Sequence, residues 1–175
     1  DLPAMYYDSA GHRAGTITAD GRTVVGAIGA PCGRCHAAQA RFETTPLTVE
    51  GRLLVATPYG RVVAFDVLTG RHLWAFDPQI NRGRRYAEDF TSRGIALWRD
   101  SLSGLGFPCQ TRAFSTSVDG SIHAIDARTG IPCKGFGNNG SVSVIPVIQQ
   151  IVPKLREESI SLTSPVTILG ETVFV

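Results

Sequence analysis

Gly60-Arg-Val-Val-Ala-Phe-Asp66-Val-Leu-Thr-Gly70 realigns with Gly120-Ser-Ile-His-Ala-Ile-Asp126-Ala-Arg-Thr-Gly130 at a shift of 60 residues. Thr45-Pro46-Leu47-Thr48-Val49-Glu50-Gly51 recurs as Ser164-Pro165-Val166-Thr167-Ile168-Leu169-Gly170, a shift of 119, close to two periods. Self-similarity at such a spacing means repeated supersecondary units. Each unit predicts a strand, a Gly turn, a strand, a turn, and a strand ending in Ala-hydrophobic-Asp-x-x-Thr-Gly. A fourth, edge strand follows, such as His72-Leu-Trp74-Ala-Phe76. A four-stranded sheet of this length cannot bury both faces alone, so neighbouring sheets must stack against it. Radial stacking of such sheets makes a β-propeller.

The rest of the chain agrees with an all-β reading. Its apolar residues fall in short β-branched runs, among them Thr23-Val24-Val25, Leu53-Leu54-Val55, Val62-Val63-Ala64-Phe65 and Thr172-Val173-Phe174-Val175. Each is the length of a strand and too short for a packed helix. Turn-formers join them at Asp20-Gly21, Glu50-Gly51, Tyr59-Gly60, Asp119-Gly120 and Leu169-Gly170. Asp66 and Asp126 end a strand, where a carboxylate can accept from the turn's backbone N–H groups and the Thr hydroxyl. Trp74 is expected as a wedge between blades rather than a cofactor contact. Seventeen basic against fifteen acidic side chains leave a net charge of +2, which gives no case for a nucleic-acid partner or for an anionic membrane surface. No run approaches the roughly eighteen apolar residues of a transmembrane helix.

Two units are complete, at about 43–78 and 91–136, and a third begins at Thr163 and reaches Val175 within a strand. Closed propellers need about four to eight blades. The expectation is therefore a fragment of about two and a half blades over residues 41–175, with the remainder of the propeller encoded elsewhere. Residues 1–40 form a separate N-terminal segment of undefined role with one hairpin, over Thr16–Gly29. Residues 141–160 are expected as a surface excursion between blades.

Asp-x-x-Thr-Gly with a downstream Trp, at this period, resembles the repeat of the pyrroloquinoline quinone (PQQ) dehydrogenases, which are eight-bladed quinoprotein propellers. Three further stretches carry the likeness. Phe42-Glu43-Thr44-Thr45-Pro46-Leu47 looks like that family's opening of the first blade. Thr91-Ser92-Arg93-Gly94-Ile95-Ala96-Leu97-Trp98 is similar to its Arg-Gly-hydrophobic-Ala-Tyr-Trp segment. Pro108-Cys109, with Asp126-Ala-Arg-Thr-Gly-Ile-Pro-Cys133-Lys-Gly-Phe-Gly, resembles the glucose-dehydrogenase branch. Methanol-oxidising members carry adjacent cysteines before the Arg motif, whereas Ser92 stands here without a Cys pair.

By that resemblance, Glu43, Arg93 and Thr163 would face the quinone. A guanidinium fork and a hydroxyl suit a planar tricarboxylate. Glu43 would require a neutral or donor part of the cofactor, or a nearby cation, because like charges repel. The resemblance implies oxidation of a sugar or alcohol C–OH by hydride transfer to PQQ. In that chemistry Ca²⁺ polarises the quinone carbonyl and an Asp takes the hydroxyl proton. The base and most metal ligands are expected beyond Val175, so no catalytic residue is assigned. The electron acceptor would be a quinone or a cytochrome. The same repeat also occurs in noncatalytic propellers that bind protein partners, such as an outer-membrane assembly lipoprotein.

The four cysteines form two pairs. Cys109 and Cys133 flank the hairpin turning at Asp119-Gly120 and are expected nearly opposite each other at its open end, at a spacing that suits a disulfide. That favours an oxidising compartment, the periplasm or the periplasmic side of a membrane. Cys32-Gly-Arg-Cys35-His36 is a C-x-x-C-H string, the attachment pattern of c-type haem. A blade opens at Phe42, where a cytochrome fold would have to follow. A local Cys32–Cys35 bridge or free thiols therefore stand beside covalent haem. His72 and His123 lie in strand repeats and are expected to be structural.

Overall fold

The computed structural model describes residues 40–102 and 106–175, together with the backbone of three earlier strands: β1 (Met5–Tyr7), β2 (Arg13–Ile17) and β3 (Thr23–Val24). Those three make an antiparallel sheet, with Thr16 opposite Val24 and Ile17 opposite Thr23, the pairing of the expected hairpin. An entrance strand β4 (Ala40–Thr45) leads into the first four-stranded blade: β5 (Leu47–Val49), β6 (Arg52–Ala56), β7 (Val62–Asp66) and β8 (His72–Phe76). A second entrance strand, β9 (Phe90–Gly94), leads into β10 (Ala96–Arg99), β11 (Thr111–Ser117), β12 (Ser121–Asp126) and β13 (Ser141–Ser143). The hairpin of β14 (Thr167–Leu169) and β15 (Thr172–Phe174) begins a third.

The central strands are buried on both faces, and this drives the stacking. Val62, Val63, Ala64 and Phe65 of β7 are all buried. Side chains alternate across a strand, so Val62 and Ala64 share one face and Val63 and Phe65 the other. On the first face Leu54, Ala56, Val62 and Ala64 pack against Ile95, Ala113, Ile125 and Ala127 of the second blade. Phe114, Ile122, Ala124 and Cys133 in turn meet Val166, Ile168 and Val173 of the third. Fully burying one Val, Leu or Ile contributes roughly 1.5–3 kcal/mol, against about 0–1 kcal/mol for an exposed ion pair. Apolar contact between blades is therefore the dominant force.

The turns are fixed as the repeat predicts. Asp66 Oδ1 accepts hydrogen bonds from the N–H of Leu68 (3.1 Å) and Thr69 (2.8 Å) and from the Thr69 hydroxyl (2.9 Å). Asp126 Oδ1 accepts from the N–H of Arg128 (2.9 Å) and Thr129 (3.0 Å), while its Oδ2 accepts from the Cys109 N–H at 2.6 Å. Burial pushes the Asp126 carboxyl up, but the N–H donors of Cys109, Arg128 and Thr129 outweigh it and hold the group below its ordinary value. Trp74 wedges between blades as expected. Gly130 closes the second Asp turn at φ +77°, and a Cβ placed there would lie 2.6 Å from the Trp74 ring.

Three details differ from expectation. The fourth strand of the second blade is Ser141–Ser143, so that blade does not end at 136. The chain between the Asp126 turn and β13 doubles back instead: Cys133 N–H donates to Ala124 O, and Asn138 N–H donates to Ser141 O. The Cys109–Cys133 disulfide is formed, with a Cα–Cα distance of 5.7 Å. Cys133 reaches it from that doubled-back segment beside β12 rather than from directly across the β11–β12 hairpin. The rest of the 141–160 stretch contains a seven-residue helix, α1 (Ile145–Ile151), none of whose residues is buried.

His123 is structural, in an unusually closed setting. It is 5% exposed on β12, with its Nε2 3.0 Å from Ser117 Oγ on β11 and its Nδ1 2.8 Å from Ser141 Oγ on β13. The Phe76 ring of the first blade covers it at 5.3 Å. Burial lowers the His123 pKa from 6.5, and the nearby Asp119 carboxylate opposes this only in part. The neutral ring is thus favoured by folding, and its contribution is full above 6.5 and is lost as pH falls toward the folded value. Chemical denaturation of the full-length protein between pH 7 and pH 5 should show falling stability, with a shallower slope in His123→Gln. Gly130→Ala should lower the urea midpoint at every pH by the equivalent of about 1–3 kcal/mol, because the added methyl overlaps Trp74.

Candidate functional site

Each blade is entered by a short segment that bends into its sheet: Glu43-Thr44-Thr45-Pro46, Ser92-Arg93-Gly94-Ile95 and Leu162-Thr163-Ser164-Pro165. The strand registers make these segments equivalent. Leu47 pairs with Leu54 and Leu54 with Ala64, as Ala96 pairs with Phe114 and Phe114 with Ala124. Counting back along the chain, Thr44 and Arg93 occupy the same repeat position. The Thr-Pro and Ser-Pro repeat puts Thr163 there as well.

Stacking the blades brings these entrances side by side. β4 and β9 pair in parallel, with Phe42 opposite Ser92 and Thr45 opposite Gly94, and the register shifts between them. The third entrance continues the series, because the Arg93 N–H donates to Thr163 O at 2.9 Å. Thr116 Oγ1 holds the same segment from below by donating to Ser164 O at 2.9 Å. Gly94 has φ +144°, a backbone conformation that L side chains rarely adopt, so the bend of this entrance calls for glycine.

Glu43, Arg93 and Thr163 meet on this ladder. Arg93 Nε lies 3.3 Å from Glu43 Oε2, and Arg93 Nη1 donates to Thr163 Oγ1. The Arg93 side chain is 49% exposed and that of Glu43 39%. Arg93 therefore lies in a strand at the centre of the group rather than in a surface turn, and Glu43 is paired with it. A guanidinium has five N–H donors, so the two engaged here leave donors facing outward. Such an exposed, oriented fork can take a carboxylate or phosphate oxygen pair.

Thr44 shares the repeat position of Arg93 and Thr163. Its Oγ1 is buried without a hydrogen-bond partner among the described residues, as is Ser92 Oγ. The repeat alignment carried the signal for Thr44. Among the described residues no three His, Cys, Asp or Glu side chains converge as a metal site. Cys32, Cys35 and His36 lie outside the described residues.

Comparison with known proteins adds the following. A model of the glucose/ethanol/alcohol dehydrogenase β-propeller domain that bears the name PQQ matches residues 29–175. Quinoprotein glucose dehydrogenase A of Acinetobacter calcoaceticus is 26% identical over 144 residues, 76% of this chain and 17% of that protein. The quinate/shikimate dehydrogenase (quinone) of Acinetobacter baylyi is 30% identical, over 78% of this chain and 18% of its own length. Among solved structures, a quinohemoprotein alcohol dehydrogenase from Pseudomonas putida HK5 aligns with TM-score 0.54 and 26% identity. It covers 75% of this chain and 16% of that one. The chain thus spans less than a fifth of the length of the relatives it matches.

Proposed function

Given that the chain belongs to the PQQ family of glucose/ethanol/alcohol dehydrogenase β-propellers, we propose that it is a segment of a dehydrogenase that oxidises a sugar or alcohol. In this reading Glu43, Arg93 and Thr163 hold the quinone cofactor. The observation that carries the reading is the convergence of those three side chains on Arg93, from entrances fifty and seventy residues apart in sequence.

The residues fit the group. PQQ is a tricarboxylate, and Arg93 is a half-exposed guanidinium with donors to spare and its plane fixed by Glu43 on one side and Thr163 on the other. When bound, PQQ supplies an ortho-quinone that accepts a hydride equivalent from the substrate carbon. Around it, Arg93 binds a carboxylate of the cofactor. Glu43 takes the Nε edge of the guanidinium and so turns its remaining N–H groups outward. Thr163 fixes the other edge. These residues place the cofactor and move no proton themselves. In this reading the proton-accepting group and most of the Ca²⁺ ligands belong to blades beyond Val175. Residues 41–175 are the partial propeller in this reading, and residues 1–40 precede its first blade.

The finer parts of the reading have their own support. A branch close to glucose dehydrogenase is favoured by the Pro108-Cys109 and Ile131-Pro-Cys133-Lys-Gly-Phe-Gly stretches that carry that resemblance, and the two cysteines in them are bridged. The same bridge favours the periplasm or the periplasmic side of a membrane. The acceptor is a quinone or a cytochrome; a covalent haem at Cys32, Cys35 and His36 would make the electron path internal. No described helix is long and apolar enough to cross a membrane.

The test is cofactor binding and turnover in the full-length protein. PQQ titrated in the presence of Ca²⁺ should bind saturably and support dye reduction with glucose or a simple alcohol. Arg93→Ala should weaken PQQ binding about 10- to 100-fold, the worth of a hydrogen bond to a charged group. A noncatalytic scaffold that binds protein partners would show no PQQ binding and no effect of Arg93→Ala. A denaturing-gel haem stain reads the Cys32–His36 string separately.

A further inference from the structure

The three entrances are not held in the same way. β4 and β9 steady each other through their parallel ladder, with Ala40 opposite Phe90, Arg41 opposite Thr91 and Phe42 opposite Ser92. The third entrance, 162–165, lies in no strand. It meets the ladder where the Arg93 N–H donates to Thr163 O at 2.9 Å. Hydrogen bonds to the second blade do the rest. Thr116 Oγ1 donates to Ser164 O at 2.9 Å, and the Ser161 hydroxyl donates to Val118 O at 3.0 Å. The end of β11 thus grips the chain on both sides of Thr163.

Within the repeat, Thr116 is a departure. At the shift of 60 its counterpart in the first blade is Ala56, buried with Val62, Ala64 and Ile95. The registers agree, since Ala56 follows Leu54 by two residues and Thr116 follows Phe114 by two, and Leu54 and Phe114 pair with Ala64 and Ala124. The entrance that touches the first blade at β6 is β9, which the ladder already holds. A methyl group serves there. A hydroxyl buried between packed blades costs free energy unless it finds an acceptor. Thr116 is 1% exposed, and its acceptor is the backbone of the entrance that has no ladder. The hydroxyl stands where the entrance lacks other support.

We propose that Thr116 is a positioning residue for the cofactor: it aims the Thr163 hydroxyl, and through it the Arg93 guanidinium, without touching the ligand. This role presupposes that Glu43, Arg93 and Thr163 hold the quinone. Thr163 engages Arg93 twice, its carbonyl taking the Arg93 N–H and its hydroxyl taking Nη1. A shift of the Thr163 backbone therefore reaches the backbone and the side chain of Arg93 at once. Glu43 alone grips the guanidinium at Nε and leaves it free to pivot. Order lost in that way has to be restored on binding, at the expense of affinity.

Amide hydrogen exchange and PQQ titration in the presence of Ca²⁺, both on the full-length protein, test this role. Without cofactor, Thr116→Val should speed exchange of the Arg93 amide severalfold, whereas Thr116→Ser should exchange like the wild type. Thr116→Val should weaken PQQ binding about 3- to 10-fold, the worth of one hydrogen bond, and Thr116→Ser should keep the wild-type affinity. In a Thr163→Val background the same Thr116→Val change should add less than about twofold, because the hydroxyl it acts through is already gone. An equal loss in both backgrounds would mean a general loosening of the blade and would overturn the role. So would an unchanged Arg93 amide, or unchanged PQQ affinity in Thr116→Val while Arg93→Ala still weakens binding. If Arg93→Ala also leaves PQQ binding unchanged, the cofactor reading itself falls and the role falls with it. Thr116→Ala, which places the first blade's own residue at this position, supplies the same comparisons where valine does not pack.

Discussion

Everything in this chain follows from central strands that are apolar on both faces. A sheet whose middle strand buries Val62 and Ala64 on one side and Val63 and Phe65 on the other is insoluble alone and must be sandwiched. Repetition supplies the neighbour, because the second blade presents the same alternation with Ala113, Ile125 and Ala127 toward the first. Once the blades stack face to face, their entrances are forced together along one line. The candidate site is a consequence of that packing: three polar side chains, remote in sequence, come together because the sheets behind them have no other way to leave water.

The polar features of the blades do a different job, which is to fix register rather than to drive association. A period-2 strand that slips by one residue exposes its whole core face. Asp66 and Asp126 pin the ends of β7 and β12 by gathering the N–H groups of the following turn, and Trp74 then seats on Gly130 of the next blade. His123 does the same across three strands with two serine hydroxyls. Each of these bonds is individually small, but each has a geometry that only one register satisfies.

The blades were legible in the sequence because their signals are local. The shift of 60 between the two Asp turns lies within single hairpins, and Gly, Asp and Thr are used there for reasons of backbone conformation that any reader can apply. The fourth strand of the second blade was misplaced because Cys133 to Gly140 doubles back on β12 before Ser141 begins the strand, and no periodicity marks such a detour. The pairing of Arg93 with Glu43 and Thr163 was illegible from local pattern for a deeper reason. It joins residues fifty and seventy positions apart through a parallel ladder, and a parallel ladder leaves no turn residues to announce it. Resemblance selected the three residues, and the register of the blades explains why they converge.

The acidic member of the trio is the one whose chemistry most needed an account. A carboxylate beside a site for an anionic group is repulsive if it faces that group. Here Glu43 approaches Arg93 at Nε, on the inner edge of the guanidinium. In the proposed site the negative charge orients the cation rather than opposing the ligand. A free arginine on a half-exposed ladder would sample many rotamers, and ordering it on binding would cost about 2 kcal/mol of side-chain entropy. Glu43 and Thr163 meet that cost during folding, which leaves the fork aimed before any ligand arrives.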